Sequence, residues 1–465
     1  MKLKLFPVIN VFFIVITFNQ SAFPAEAKTV TVQDAVSIAL SNNPDYKISE
    51  LKLKESAQRI NAAWGELFPV LESEASITRQ NAENGFMSLS DDQIDVKFIQ
   101  MKFGINPGIF YNSLQLSYKS YAAFKEEVRR IKSETELQVI KSYFSLILAE
   151  EMITLRKDSI DLLKSNLKDV QNMYSTGSIP KYDLLQAKVQ LNSQVPKLLE
   201  AENYYKTALD YFNYVLGCSE TYKADLSILE KSIGEISRDD MEKKIDALTS
   251  AALKNRPELI QVRKKIEASE KKENAYDSYY YWPTFTAGGY YGMSKSDPNN
   301  VEIGIPGSAI SPDFSQISGD DKWQNNWQVR VAATYRWGSL FGVDSNSSYS
   351  RGEALLIRQG EEELLKLKKL IAININSGYS KLLTSYLTIV SQKENVETAG
   401  EGVRIARESF KGGVIKNSDL LSSELALTAA RTGYINAINS YYTALAELKK
   451  ETGLSDDTII FEKVK

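Results

Sequence analysis

Two periodicities alternate along the chain, and each predicts a different element. Val396, Ala399, Val403, Ala406 and Phe410 recur at spacings of three and four, and Leu420, Ser423, Leu427, Ala430, Tyr434, Ala437 and Tyr441 do the same after a short break. That is the seam of two helices packed as a coiled coil. An earlier pair repeats it, with Leu163, Leu167, Val170 and Tyr174 on one arm and Leu184, Ala187, Leu191, Val195 and Leu198 on the other. From Asn112 to Met173 there is neither proline nor glycine. One unbroken helix there would run about 90 Å at 1.5 Å per residue, so the molecule is expected to be elongated.

Between the arms lie two similar turns. Tyr174-Ser-Thr-Gly177-Ser178-Ile179-Pro-Lys-Tyr-Asp183-Leu-Leu185 is echoed by Phe410-Lys-Gly-Gly413-Val414-Ile415-Lys-Asn-Ser-Asp419-Leu-Leu421. In each, a glycine permits the left-handed geometry of a helix C-terminus, and an aspartate sits where the next helix's dipole favours negative charge. Each reads as the tip of a helical hairpin. The echo extends further: Ala39-Leu-Ser-Asn42-Asn-Pro44 returns as Ala252-Leu-Lys-Asn255-Arg-Pro257, and Phe68-Pro69 as Trp282-Pro283. The chain is thus read as a duplication, with halves at 28–217 and 240–453, joined by a linker at 218–239 and followed by a tail at 454–465. Pro196 is expected to kink the returning helix of the first half near Gln194.

The second periodicity is two. Odd positions from Trp327 to Trp337 are apolar or aromatic, while Gln328, Arg330, Thr334 and Arg336 stand among the even ones. Alternation over about 9–11 residues with tryptophan at both ends fits a strand facing lipid on one side and water on the other; an edge strand of a soluble sheet is the other reading. Four strands are expected, at about 68–80, 94–108, 284–294 and 325–338. In the second, Ile94, Val96 and Phe98 set one phase and Ile99-Gln100 breaks it, which points to a β-bulge there or to a misread register. Trp282, Trp327 and Trp337 are candidate membrane-interface aromatics. Four lipid-facing strands cannot close a barrel, and lipid does not tolerate open edges. A dimer would make eight strands and a filled interior; a trimer makes twelve with room for water, the better fit to charged inward positions.

Composition narrows the function. Met-Lys-Leu-Lys, the apolar run Leu5 to Phe18 and Ala25-Glu-Ala27 read as a secretory signal peptide over residues 1–27. An uncleaved anchor is the alternative, and no later segment has the roughly twenty apolar residues of a membrane helix. The chain has no histidine and a single cysteine, Cys218. That removes the commonest general base and metal ligand and any internal disulfide, so neither an enzyme nor a metal or other cofactor is expected. The formal charge of −3 becomes −4 without Lys2, Lys4 and Glu26, which argues against nucleic acid as a partner.

Taken together and in order, these features resemble the TolC family of outer-membrane channel proteins. They include the two Asn-Pro/Arg-Pro motifs, Phe68-Pro69 and Trp282-Pro283 entering the strands, Ile109-Phe110-Tyr111 and Leu340-Phe341-Gly342 leaving them, and the two tips. The resemblance implies a mainly helical chain. A long coiled-coil α-barrel would continue into a trimeric twelve-stranded β-barrel in the outer membrane of a Gram-negative bacterium, with an equatorial girdle built from Ser219 to Arg238 and the stretch after Gly453. It implies a passive exit duct for efflux or secretion, partnered by a periplasmic adaptor and an inner-membrane transporter of RND, ABC or MFS type. On that basis Gly177, Ser178, Ile179, Gly413, Val414 and Ile415 are candidate adaptor-docking residues. Asp419, Ser422, Asp183 and Phe410 are candidate residues of a periplasmic aperture, where three copies of Asp419 would crowd into an acidic ring. Ser422 stands where a second acid can occur, and Phe410 where a tyrosine can pair with the position of Asp183. A soluble periplasmic coiled-coil scaffold is the alternative from another class.

Overall fold

A computed structural model describes residues 28–84, 87–218, 220–225, 233, 236, 241–297, 301–303, 322–338 and 344–454. The expected leader and the Leu340–Gly342 motif lie outside the described residues, as does most of the linker and of the C-terminal tail. The first half contains β1 (Lys28–Val30), α1 (Val32–Asn42), α2 (Pro44–Gly65), β2 (Val70–Asn84), β3 (Met87–Ile105), α3 (Pro107–Ser175) and α4 (Lys181–Leu216), and the linker contains β4 (Tyr222–Ala224). The second contains α5 (Met241–Asn255), α6 (Pro257–Tyr281), β5 (Thr284–Asp297), β6 (Val301–Ile303), β7 (Gln324–Thr334), α7 (Ser345–Lys411) and α8 (Asn417–Thr452).

Local chemistry sets most boundaries. Thr31 caps α1, its hydroxyl accepting from the Asp34 N–H at 3.2 Å. Asn43 caps α2 through Oδ1, and Pro44 takes the first helical position, where its missing N–H costs nothing. Asn106 does the same for α3, accepting from the Ile109 N–H at 3.1 Å, so the strand expected at 94–108 stops at Ile105 and the helix begins five residues before Asn112. The strand expected over 325–338 ends at Thr334, leaving Trp337 beyond it. β6 lies within the polar stretch between Ser294 and Lys322 and pairs with Met87–Leu89 of β3. α4 runs through Pro196 as one helix.

α3 and α7, of 69 and 67 residues, each span about 100 Å and form the long members of the wall. Near the sheet α3 packs on α2 and α6, and α6 on α7; toward the tips α3 packs on α4 and α8, and α8 on α7. The wall is therefore four helices wide, with α4 stacked below α2 and α8 below α6. The hydrogen-bonded strand order β2-β3-β5-β7 copies the helix order α2-α3-α6-α7, each strand continuing one helix of the wall.

Two buried cores hold the middle. Val139, Tyr143, Ile147, Phe212 and Leu216 pack with Ala35 and Ala39; Leu248, Leu259, Ile375, Tyr379, Tyr441 and Leu448 form the counterpart. Each fully buried side chain of this size contributes about 1.5–3 kcal/mol relative to exposure. The Tyr143 hydroxyl sits 3.1 Å from the Val30 carbonyl and accepts the Asp225 N–H at 2.9 Å, tying the parallel β1–β4 pair to α3.

The helix stacking explains the repeated Asn42-Asn-Pro44 and Asn255-Arg-Pro257 motifs. Gly217 (φ +69°) ends α4 against the α1–α2 junction, and a Cβ there would lie 2.8 Å from the Asn42 carbonyl oxygen. Gly453 (φ +67°) ends α8 against Asn255 and Arg256 in the same way. Asn43 Nδ2 donates to the Val215 carbonyl at 2.9 Å, while Arg256, at the matching position, pairs with Glu451 at 2.7 Å and Glu258 at 3.2 Å.

Candidate functional site

The sheet presents two unlike faces. Antiparallel partners share a face, so the register puts Leu71, Met101, Gly289 and Val329 on one row, and Phe103, Ala287 and Val331 on another. Ile99, Tyr291 and Trp327 follow on the same face. The opposite face carries Glu72, Gln100, Tyr290 and Gln328, then Glu74, Lys97, Gly292 and Asn326. The expected bulge is present, one residue from the predicted place. Between Lys97 and Ile99, β3 has an extra residue, Phe98, whose carbonyl accepts from the Ser73 hydroxyl at 2.6 Å. Without it Ile94 and Val96 would fall on the charged face; with it they join Ile99, Met101, Phe103 and Ile105 on the apolar one. That apolar face is bare in the single chain, with Ile77 77%, Trp327 73% and Val331 79% exposed. The edges β2 and β7 have no further strand beyond them among the described residues.

Aromatic residues gather where sheet meets helices. Trp282 is the C-cap residue of α6, and its carbonyl accepts from Asn106 Nδ2 at 2.9 Å. Tyr335 packs edge-on to Trp337 at 5.0 Å, and the Arg336 guanidinium lies over the Tyr279 ring at 4.7 Å. Tyr281 and Trp337 are 75% and 92% exposed. From Trp327 to the end of β7 at Thr334 is seven residues, about 23 Å of extended chain, and Trp337 lies beyond that end.

At the other end the two tips share one geometry. The Gly177 N–H donates to the Tyr174 carbonyl at 3.0 Å and the Ser178 N–H to that of Met173 at 2.9 Å; Gly413 and Val414 repeat this with Phe410 and Ser409 at 3.0 and 2.9 Å. Both glycines have positive φ, +75° and +73°, and these are Schellman endings in which orphan carbonyls of the last turn are satisfied. Gly177, Ser178, Gly413 and Val414 are exposed, whereas Ile179 and Ile415 are half-buried against a small core of Val170, Ala187, Ala406, Phe410 and Leu420.

The four aperture candidates separate. Asp419 and Ser422 are exposed and three residues apart in the first two turns of α8, hence on one face. The Asp419 carboxylate accepts from the Lys416 N–H at 3.3 Å, so it also closes the start of its own helix. Asp183 is half-buried. Phe410 does not line a surface: it is 3% exposed, because its ring fills the core between the two hairpins.

Sequence reading passed over two neighbours of the tip. Asn417, fully buried, donates from Nδ2 to the Asp183 carbonyl at 3.4 Å and leaves its Oδ1 without a partner. Glu424, also buried, pairs through Oε1 with Arg407 at 3.1 Å. Burial pushes its carboxyl above the usual carboxylate range, and the Arg407 guanidinium opposes that without reversing it. Neither stood out, because each is a single polar position inside an otherwise apolar seam. Among the described residues no cluster of potential ligands fits a metal ion, and no helix is long and apolar enough to cross a membrane.

Known proteins share this arrangement. The chain is 24% identical over 277 residues to the probable outer membrane lipoprotein SilC of Salmonella typhimurium, a match spanning 58% of this chain and 57% of that protein. It is 22% identical to the alkaline protease secretion protein AprF of Pseudomonas aeruginosa, across 93% of this chain and 86% of the relative. The solved outer-membrane channel OprN superposes with a TM-score of 0.71 at 14% identity, covering 91% of this chain and 89% of the other. A sequence profile for the outer membrane efflux protein family matches residues 35–217 and 248–454. With most of both halves matched and the same wall and sheet in place, the chain belongs to the outer membrane efflux protein family.

Proposed function

We propose that this chain is one third of a passive duct through the outer membrane, completed by two further copies and fed from the periplasm by an adaptor and an inner-membrane transporter. The observation that carries this reading is the β2-β3-β5-β7 sheet with an exposed apolar face, a charged face behind it and two open edges. In lipid each unpaired backbone group costs several kcal/mol, so the edges must pair with other copies. The helix wall has matching open margins. α4 exposes Tyr182, Leu185, Val189 and Leu199, and α7 exposes Ile373, Leu387, Val390 and Ile405. Joining the α4 margin of one copy to the α7 margin of the next is a head-to-tail contact, which closes into a ring only at a fixed subunit number. Twelve strands, from three copies, leave an aqueous interior for the charged face.

The exposed Gly177-Ser178 and Gly413-Val414 turns are the docking face for the adaptor, and Asp419 and Ser422 line the narrow periplasmic end. The chain supplies a wall, a gate and a docking rim, and energy comes from the transporter. The test is extraction and mass. The protein should fractionate with the outer membrane, need detergent, run at three times the chain mass and pass current in planar bilayers. A water-soluble monomer without current would reject the duct in favour of the scaffold.

A further inference from the structure

The charged face of the sheet holds a residue that neither docking nor the aperture uses. In the four rows from Val70 to Ser76 this face carries three acids, Glu72, Glu74 and Asp95, and three bases, Lys97, Lys102 and Arg330. Glu72 is paired with Lys102, and Glu74 with Lys97 at 3.1 Å. Asp95 lies on the row of Ser76, Ser294 and Gln324, and has its own interaction. Gln324 is six residues from Arg330 along β7, about 20 Å at 3.3 Å per residue, so Asp95 does not reach it. Arg330 shares its row with Val70, Lys102 and Gly288, is exposed, and has no ion-pair partner among the described residues. It stands between Val329 and Val331, both on the apolar face, and therefore points the opposite way.

From this we infer that Arg330 forms an anion-binding belt inside the barrel, a site for multivalent oxyanions. The inference rests on the proposed three-copy duct, whose symmetry sets three Arg330 guanidiniums at one height around one lumen. Rings of arginine or lysine select anions in pores, and a low-dielectric wall focuses their field on the channel axis. A guanidinium also grips phosphate oxygens two at a time, which a diffuse positive potential does not. The acids of β2 on the adjoining copy do not cancel the belt, because Glu72 and Glu74 already hold lysines of their own chain. Arg330 thus sets one band of positive charge within the exit segment, opposite in sign to Asp419 at the periplasmic end.

The test uses the whole protein in planar bilayers at about 0.1 M KCl, where the Debye length is about 10 Å. Inorganic pyrophosphate is added on the barrel side, so that the probe meets Arg330 without passing the tips. Wild-type current should fall on addition and recover in about 1 M KCl, where the Debye length shrinks to about 3 Å. R330K should keep part of the block, since its ammonium retains the charge but not the two-point grip, while R330A and R330Q should lose it though they still pass current. Equal block in wild type, R330A and R330Q, or none in wild type, overturns the belt and leaves the duct standing. If the wild-type protein passes no current at all, the duct reading fails and the belt goes with it.

Discussion

Asn417 joins the two hairpins: from the first turn of α8, in the second half of the chain, its side-chain amide reaches the carbonyl of Asp183 in the first half, 3.4 Å away. The same side chain leaves Oδ1 buried and unpartnered, so its presence costs about as much as its one hydrogen bond returns. Asn417→Ala should therefore change thermal stability by less than about 1 kcal/mol while loosening the tips. Single-channel recordings should show larger or more frequent openings. Unchanged currents would mean the hairpins are held elsewhere.

Closing its own helix and lining the proposed aperture are separable at Asp419. Asp419→Asn keeps a side-chain oxygen for the Lys416 N–H but removes the charge, whereas Asp419→Ala removes both. Block by multivalent cations from the periplasmic side should weaken in both variants. Only the alanine variant should also lose about 1 kcal/mol of stability from the uncapped helix. Undiminished cation block in Asp419→Asn would place the aperture at other residues.

Gly413 can be probed by size at constant strain. A Cβ at this position meets nothing within 4 Å, so any side chain pays only for its left-handed φ, about 1–2 kcal/mol. Gly413→Ala and Gly413→Trp should both assemble, as seen by unheated gel electrophoresis. Export in cells with the cognate adaptor should fall much further for the tryptophan variant. Equal export by the two would remove this turn from the docking face.

Gly217 supplies the converse. Its φ resembles that of Gly177, but its Cβ would press on the Asn42 backbone, which cannot move without unstacking α4 from α2. Gly217→Ala should cost about 3 kcal/mol or more, against about 1–2 kcal/mol for Gly177→Ala. Thermal unfolding followed by circular dichroism separates them, and equal costs would show the stack to be yielding.

The Arg407–Glu424 pair gives a pH dependence with a defined sign. Glu424 has a folded pKa above its unfolded value, so the folded protein binds the extra proton and this group's contribution to stability falls as pH rises above about 4.5. Arg407→Met removes the opposing cation and enlarges that loss. The variant should be clearly less heat-stable than wild type at pH 7.5, with the gap closing as pH is lowered toward 5. A gap independent of pH would show that packing, not charge, is what the substitution disturbs.

The helical hairpins and the two-faced strands were legible because both are statements about spacing, which a sequence carries in full. Even the bulge showed itself as a phase change, misplaced by one residue because Phe98 itself fits the apolar pattern on either side. Strand ends were less legible. Asn106-Pro107-Gly108 looks like the tail of a strand until the Asn106 side chain is seen capping a helix. β6 has only three residues, too few for an alternation to register. Phe410 was assigned to the right seam, but a periodicity names a face without naming what covers it. The Asn42-Asn43-Pro44 motif was visible as a repeat, yet its reason lies in Gly217, about 175 residues away.

The strand order that copies the helix order has a mechanical side. α3 and α7 pass from the membrane end to the tips without a joint, and every strand is the continuation of one stave. Among the described residues these two helices offer no bearing at which the lower wall can swivel against the sheet. In the proposed duct a twist delivered at the tips would be stored as torsion over about 100 Å of helix, so the same wall would serve as its spring.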